Sequence, residues 1–221
     1  MQTLGTRLVR SFLSALALVL AGCAGTPDTS STKSRSSRLA QPALPLEVDR
    51  SHGNCHIRLD GVLDDITSHS LRSVMAELEK SNCRSKRVLI DQINGQLGSA
   101  ITIGSIIKNR RYDTQLMPGA TCLTPCLLVF AAGNQRIAVA STPPARLGYS
   151  QIPRDEDFGR KVCATELSTA QTLTLTRYLR AMLPVETANT VYQKLTAANC
   201  LGIDYQTAAQ AQAIGLVTAT R

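Results

Sequence analysis

Between residues 56 and 149, short apolar runs alternate with segments whose apolar side chains recur at helical spacing. This alternation constrains the fold more than any other feature. His56-Ile57-Arg58-Leu59 reads as a strand closed by an Asp60-Gly61 turn. Leu71, Val74, Met75 and Leu78 then follow the i, i+3, i+4, i+7 rule of a helix with one buried face. Residues 87–91 form a second apolar strand, and after an Asn94-Gly95 turn Ile103, Ile106 and Ile107 carry the next helix. Residues 114–117 return to strand, 126–132 to helix, and 136–140 and 145–149 to strand. Beyond residue 165 the spacing is helical, through Leu175, Tyr178, Leu179 and Met182, then Ala188, Val191, Tyr192 and Leu195. Strands interleaved with amphipathic helices predict an α/β fold, a mostly parallel sheet with covering helices and a helical C-terminal part.

Composition narrows the function classes. At 43% hydrophobic and 18% charged residues the chain is globular, and its 221 residues suit one large domain. With no Trp, 3 Phe and 5 Tyr it has few rings on which bases stack. The net charge of +8 therefore does not read as nucleic-acid binding.

The N-terminus supplies an address. Arg7 and Arg10 precede an apolar run at residues 12–20, about half a bilayer span in length, which reads as a signal-peptide core. It ends in Leu20-Ala21-Gly22-Cys23, an order that resembles the lipobox of bacterial lipoproteins. The resemblance implies acylation of Cys23, cleavage before it, and attachment to membrane lipid; Ala24 in place of Asp implies the outer membrane, facing the periplasm. Two or more acyl chains anchor far better than one, at about 0.8 kcal/mol per buried methylene. Residues 1–22 are then the signal peptide, the Ser/Thr-rich residues 23–46 a lipidated flexible tether, and 47–221 the folded domain. Lys33, Arg35 and Arg38 read as solvated linker charges.

Lipidation of Cys23 also makes sense of seven cysteines, because it leaves an even set of six. Six cysteines permit many pairings. Position along the chain favours Cys55–Cys83, Cys122–Cys126 and Cys163–Cys200, as structural bridges in an oxidising envelope. A redox-active or copper-binding Cys122/Cys126 pair is the alternative, but its spacing is not Cys-x-x-Cys, and no Met or His accompanies it.

Several motifs in order resemble the ClpP/crotonase superfamily, in particular its envelope-targeted ClpP-like members, over about residues 55–218. Leu89-Ile90-Asp91 is followed by Gln92-Ile93-Asn94-Gly95 where the family has Ser-Pro-Gly-Gly, and Tyr112-Asp113-Thr114 leads into the next strand. Cys122-Leu123-Thr124-Pro125-Cys126 stands where members carry Cys-x-Ser-Ala-Cys, Phe130-Ala131-Ala132-Gly133 and Arg136 match the following helix end and basic residue, and Leu147-Gly148-Tyr149 stands where a small residue and His are common. Ala211-Gln212-Ala213-Ile214-Gly215-Leu216-Val217 matches an Ala-x-x-x-Gly-Leu-Val element.

The resemblance implies a Ser nucleophile, a His base and backbone oxyanion donors, and each is altered. Thr124 replaces the Ser and Tyr149 the His; a phenol of pKa about 10 is a poor base at neutral pH. Pro125 has no N–H where a donor is expected, and losing one such donor costs about 100- to 1000-fold in turnover. Asn94-Gly95 replaces the glycine pair, and Leu201-Gly202-Ile203 falls where the protease family has its acidic cluster. His52, His56 and His69 all precede the usual base position and read as structural or surface residues, and no local motif supports Lys161 as a base. The expectation is a catalytically degenerate binding or scaffold module, with a peptide or envelope protein as partner and no cofactor or metal. The alternatives are a peptidase or esterase using Thr124, and the Cys122/Cys126 redox protein.

Overall fold

The structure, a computed structural model, describes residues 46–152 and 167–221. A six-stranded sheet runs in the order β1 (Leu46–Asp49), β2 (Asn54–Leu63), β3 (Ser85–Gly95), β4 (Asp113–Leu116), β6 (Arg136–Ala138) and β9 (Ala219–Thr220). All neighbours are parallel except β1, which lies antiparallel to β2. A smaller sheet joins β5 (Thr121–Cys122), β7 (Arg146–Tyr149) and β8 (Asp204–Gln206). The mostly parallel α/β architecture matches the expectation from the sequence.

Residue alternation decides which sheet face is covered. Cys55, Ile57 and Leu59 on β2 and Val88 and Ile90 on β3 are buried, while His56, Arg58, Ser85 and Arg87 between them stay partly exposed. The buried face meets α1 (Asp65–Leu78), α2 (Leu97–Asn109) and α3 (Thr124–Ala131). Asp64 caps α1 by accepting from Thr67 N at 2.7 Å, and Leu71, Met75 and Leu78 form its buried stripe. Gly104 on α2 admits the ring of Tyr178 from α4 (Thr169–Met182), whose hydroxyl donates to Leu128 O at 2.7 Å. A Cβ at residue 104 would lie 1.8 Å from that hydroxyl, so only glycine fits. Helices α4 and α5 (Val185–Ala197) pack as a pair, and α6 (Ala208–Ala213) leads into β9.

Two expected turns are not turns. β2 continues through Asp60-Gly61 with a register shift between Leu59 and Gly61, and Gly61 takes φ 87°. β3 likewise runs to Gly95, paired with Leu63; a Cβ there would fall 2.5 Å from Leu63 O, so Gly95 permits strand contact rather than chain reversal. Helix α3 starts at Thr124, two residues before the expected start, because Pro125 is well placed in a first turn where its missing N–H has no helical partner.

Arg136 pins the C-terminal segment. Its buried guanidinium donates to three carbonyls, Leu216 O at 2.7 Å, Gly215 O at 3.1 Å and Gly133 O at 3.2 Å. Cys55–Cys83 and Cys122–Cys126 are disulfides with Cα separations of 5.6 and 5.0 Å. Cys200 is disulfide-bonded too, and the expected Cys163 lies outside the described residues. Among the described residues no helix is long and apolar enough to cross a membrane.

Candidate functional site

The site expected from the sequence lies where β5 turns into α3. The Cys122–Cys126 bridge ties the strand end to the first helical turn, and both cysteines are fully buried. That burial leaves no surface for thiol exchange, which speaks against the redox reading.

Thr124 lies inside this staple, 1% exposed. Its hydroxyl donates to Ser150 O at 2.5 Å and accepts from Ser150 N at 2.7 Å. Thr124 N in turn donates to Ser150 Oγ at 3.4 Å. The hydroxyl proton and a lone pair therefore serve one backbone unit, as a strand ladder would. A nucleophile needs the opposite arrangement, with the proton handed to a base and a lone pair aimed at substrate.

Tyr149 is fully buried and donates to Gln206 Oε1 on β8 at 3.0 Å. Burial and the nearby Asp204 carboxylate push its phenol well above the ordinary tyrosine value. Lys194 stands 5.4 Å over its ring centroid. These contacts direct Tyr149 towards β8 and α5. Gly148 closes the remaining space: a Cβ there would meet Ile203 Cγ2 and Leu123 Cδ2 at 2.9 Å and Tyr205 Cδ1 at 3.2 Å.

The oxyanion region also has a structural use. Asn94 and Gly95 are exposed at the end of β3, in register with Val62 and Leu63. Pro125 offers no N–H. Thr124 and Pro125 thus share one helix start, Tyr149 faces another partner, and Asn94 and Gly95 serve sheet pairing.

A second group of polar residues contains His56, which the sequence reads as structural or surface, together with Ser85 and Asp49, which no motif singles out. His56 Nε2 lies 2.9 Å from Ser85 Oγ, and its Nδ1 lies 3.8 Å from Asp49 Oδ2. The three come from β2, β3 and β1 on the partly exposed face of the large sheet. The two-residue alternation of polar positions in β2 and β3 is the signal that could have put His56 and Ser85 on one face. His69 is exposed on α1, and Lys161 lies outside the described residues. A cavity lined by Thr176, Leu179, Arg180, Ala188, Asn189 and Tyr192, between α4 and α5, touches none of these groups. Among the described residues no cluster of three or more His, Cys, Asp or Glu side chains is arranged to hold a metal ion.

The architecture has known counterparts. A membrane-bound stomatin-specific protease, solved with a substrate peptide as a Lys-to-Ala variant, superposes with a TM-score of 0.54 at 14% identity, over 75% of this chain and 73% of that one. A Ser-to-Ala variant of the same protease gives 0.54 at 13% identity over 75% and 77%. A protein described as an enoyl-CoA hydratase from Streptomyces avermitilis gives 0.52 at 17% identity over 80% and 67%. The fold is ClpP/crotonase-like. At these identities the likeness concerns the fold alone; no family model and no curated protein matches the sequence. One ClpP/crotonase-like frame thus serves a protease and a hydratase, so chemistry has to be argued from side chains.

Proposed function

We propose that this protein is a membrane-anchored, periplasm-facing ClpP-like lipoprotein whose hydrolase position has become part of the frame, and that it works as a binding or scaffold module. The observation that carries this reading is the Thr124 hydroxyl, buried and engaged as both donor and acceptor by Ser150. Pro125 without a donor and Tyr149 committed to Gln206 support it independently. Attachment rests on Leu20-Ala21-Gly22-Cys23, with acylated Cys23 holding the chain to the outer membrane and residues 24–46 as tether. The partner is an extended peptide or a segment of an envelope protein. In support, β8 forms an edge of the smaller sheet among the described residues, and Tyr205 on it and Ile203 just before it are exposed apolar side chains.

Two measurements test this. Growth with an alkyne-tagged palmitate should label the wild type and leave Cys23→Ser unlabelled; equal labelling of both would overturn the anchor. Treating the purified protein with a fluorophosphonate and mapping the adduct should find none on Thr124. An adduct there that disappears in Thr124→Val would establish the Thr124 hydrolase instead.

A further inference from the structure

The largest sheet carries a Ser–His–Asp constellation outside the region expected from the fold. Asp49 on β1 is the cross-strand partner of His56 on β2, and Ser85 opens β3 two residues before Arg87, which pairs in register with His56. The imidazole lies between them in the order hydrolytic chemistry requires, Nε2 within hydrogen-bond distance of the Ser85 hydroxyl at 2.9 Å and Nδ1 facing the Asp49 carboxylate at 3.8 Å, an electrostatic approach longer than a hydrogen bond. A carboxylate beside Nδ1 favours the tautomer protonated there, leaving Nε2 to accept from Ser85. Asp49 is itself held in place, accepting from Ser51 N at 2.8 Å and Asn54 Nδ2 at 3.0 Å.

The surroundings suit a base rather than a surface charge. His56 is held below its ordinary pKa by burial and by the Arg87 guanidinium, against the weaker opposing pull of Asp49. It is therefore neutral and able to accept a proton at neutral pH. The Asp49 carboxyl is drawn down to about 2, mainly by its hydrogen bonds to Ser51 and Asn54, and is ionised throughout that range. The Cys55–Cys83 disulfide fixes the backbone next to His56 and close to Ser85, so the arrangement sits on strands and a covalent bridge. Ser85 is partly exposed, and the His56 side chain is 15% exposed.

We propose that Ser85 is a nucleophile activated by His56 and oriented by Asp49, a second site that cleaves carboxylic esters presented at the open face of the sheet. The Ser85 oxygen bonds to the ester carbonyl carbon as its proton passes to His56 Nε2. The bond to the leaving alcohol then breaks and the alcohol takes that proton. Water attacks the acyl-Ser85 ester, giving its proton to His56, and the carboxylic acid leaves as Ser85 recovers the proton. Arg87, two residues along β3 from Ser85 and in register with His56, places positive charge beside the imidazole.

The test uses the full chain and a fluorophosphonate, with the labelled peptide identified by mass spectrometry and p-nitrophenyl acetate hydrolysis followed in parallel. The adduct is expected on Ser85 of the wild type, absent in Ser85→Ala, and unchanged in Ser73→Ala, an exposed hydroxyl on α1. His56→Gln should slow labelling about 100-fold or more. The wild-type rate should rise with pH through the His56 titration and be level above about pH 7. Mapping the wild type requires no substitution, so a misfolded variant would not rescue the idea. An unlabelled Ser85, or a Ser85 adduct forming at the same rate in His56→Gln, would overturn it. Neither result touches the reading of Thr124, which stands or falls on its own adduct.

Discussion

The start of α3 and the open face of β1–β3 make opposite use of similar side chains. At α3 the hydroxyl of Thr124 is 1% exposed and both its hydrogen-bonding roles go to one backbone unit. On the sheet the hydroxyl of Ser85 is partly exposed and faces an imidazole, which in turn faces a carboxylate. The first place is where a ClpP-like fold leads one to expect chemistry, and the second is not. Position in a fold says where a site has room to form, and hydrogen-bond partners say whether it has formed. A hydroxyl whose proton and one lone pair are held by main chain stabilises the domain and has no proton free to hand to a base.

Perturbing each region should therefore produce different losses. The largest should follow Cys55→Ala with Cys83→Ala, which opens a loop of 28 residues beside His56 and Ser85. Stability by chemical denaturation should fall by about 3 to 4 kcal/mol in the chain-entropy picture. Opening the four-residue Cys122–Cys126 loop should lower it by only about 2 kcal/mol. Thr124→Val keeps the shape but strands Ser150 N and O, and should lower stability by about 2 kcal/mol. Were that variant fully stable, the frame role of Thr124 would be wrong. Tyr149→Phe leaves Gln206 Oε1 without its donor and should lower stability by about 1 kcal/mol.

The smallest effect is a pH slope. Because folding lowers the pKa of His56, the unfolded chain binds more protons near and below pH 6.5, and stability should decline as pH falls through that window. His56→Gln should flatten the melting temperature between pH 7.5 and 5, and an unchanged slope would separate His56 from this effect. Asp49, with its carboxyl drawn down to about 2, acts only below about pH 4, where its contribution is lost as it protonates, so the two windows do not overlap.

Legibility in the sequence followed the range of the interactions. The helices built on Leu71, Met75 and Leu78 and on Ile103 and Ile107 were readable because their signal is local and periodic. Two-residue strands such as β5 and β9 carry no period and exist only through their neighbours. Asp60-Gly61 and Asn94-Gly95 have the residues of turns, yet tertiary pairing keeps both in strand, where glycine serves register and close approach. The positions of Thr124, Pro125 and Tyr149 were visible by resemblance, but Ser150 and Gln206, which decide what those residues do, were not. His56 and Ser85 are 29 residues apart and meet only through parallel strand pairing, which sequence spacing does not announce.

Amide hydrogen exchange at Ser150 tests the central claim most directly. With the Thr124 hydroxyl committed to the Ser150 backbone, this amide should exchange as slowly as those of the core strands, and at least about 10-fold faster in Thr124→Val. A Ser150 amide exchanging near the rate of an unstructured chain in the wild type would contradict the account, because it would leave the Thr124 hydroxyl free for a substrate.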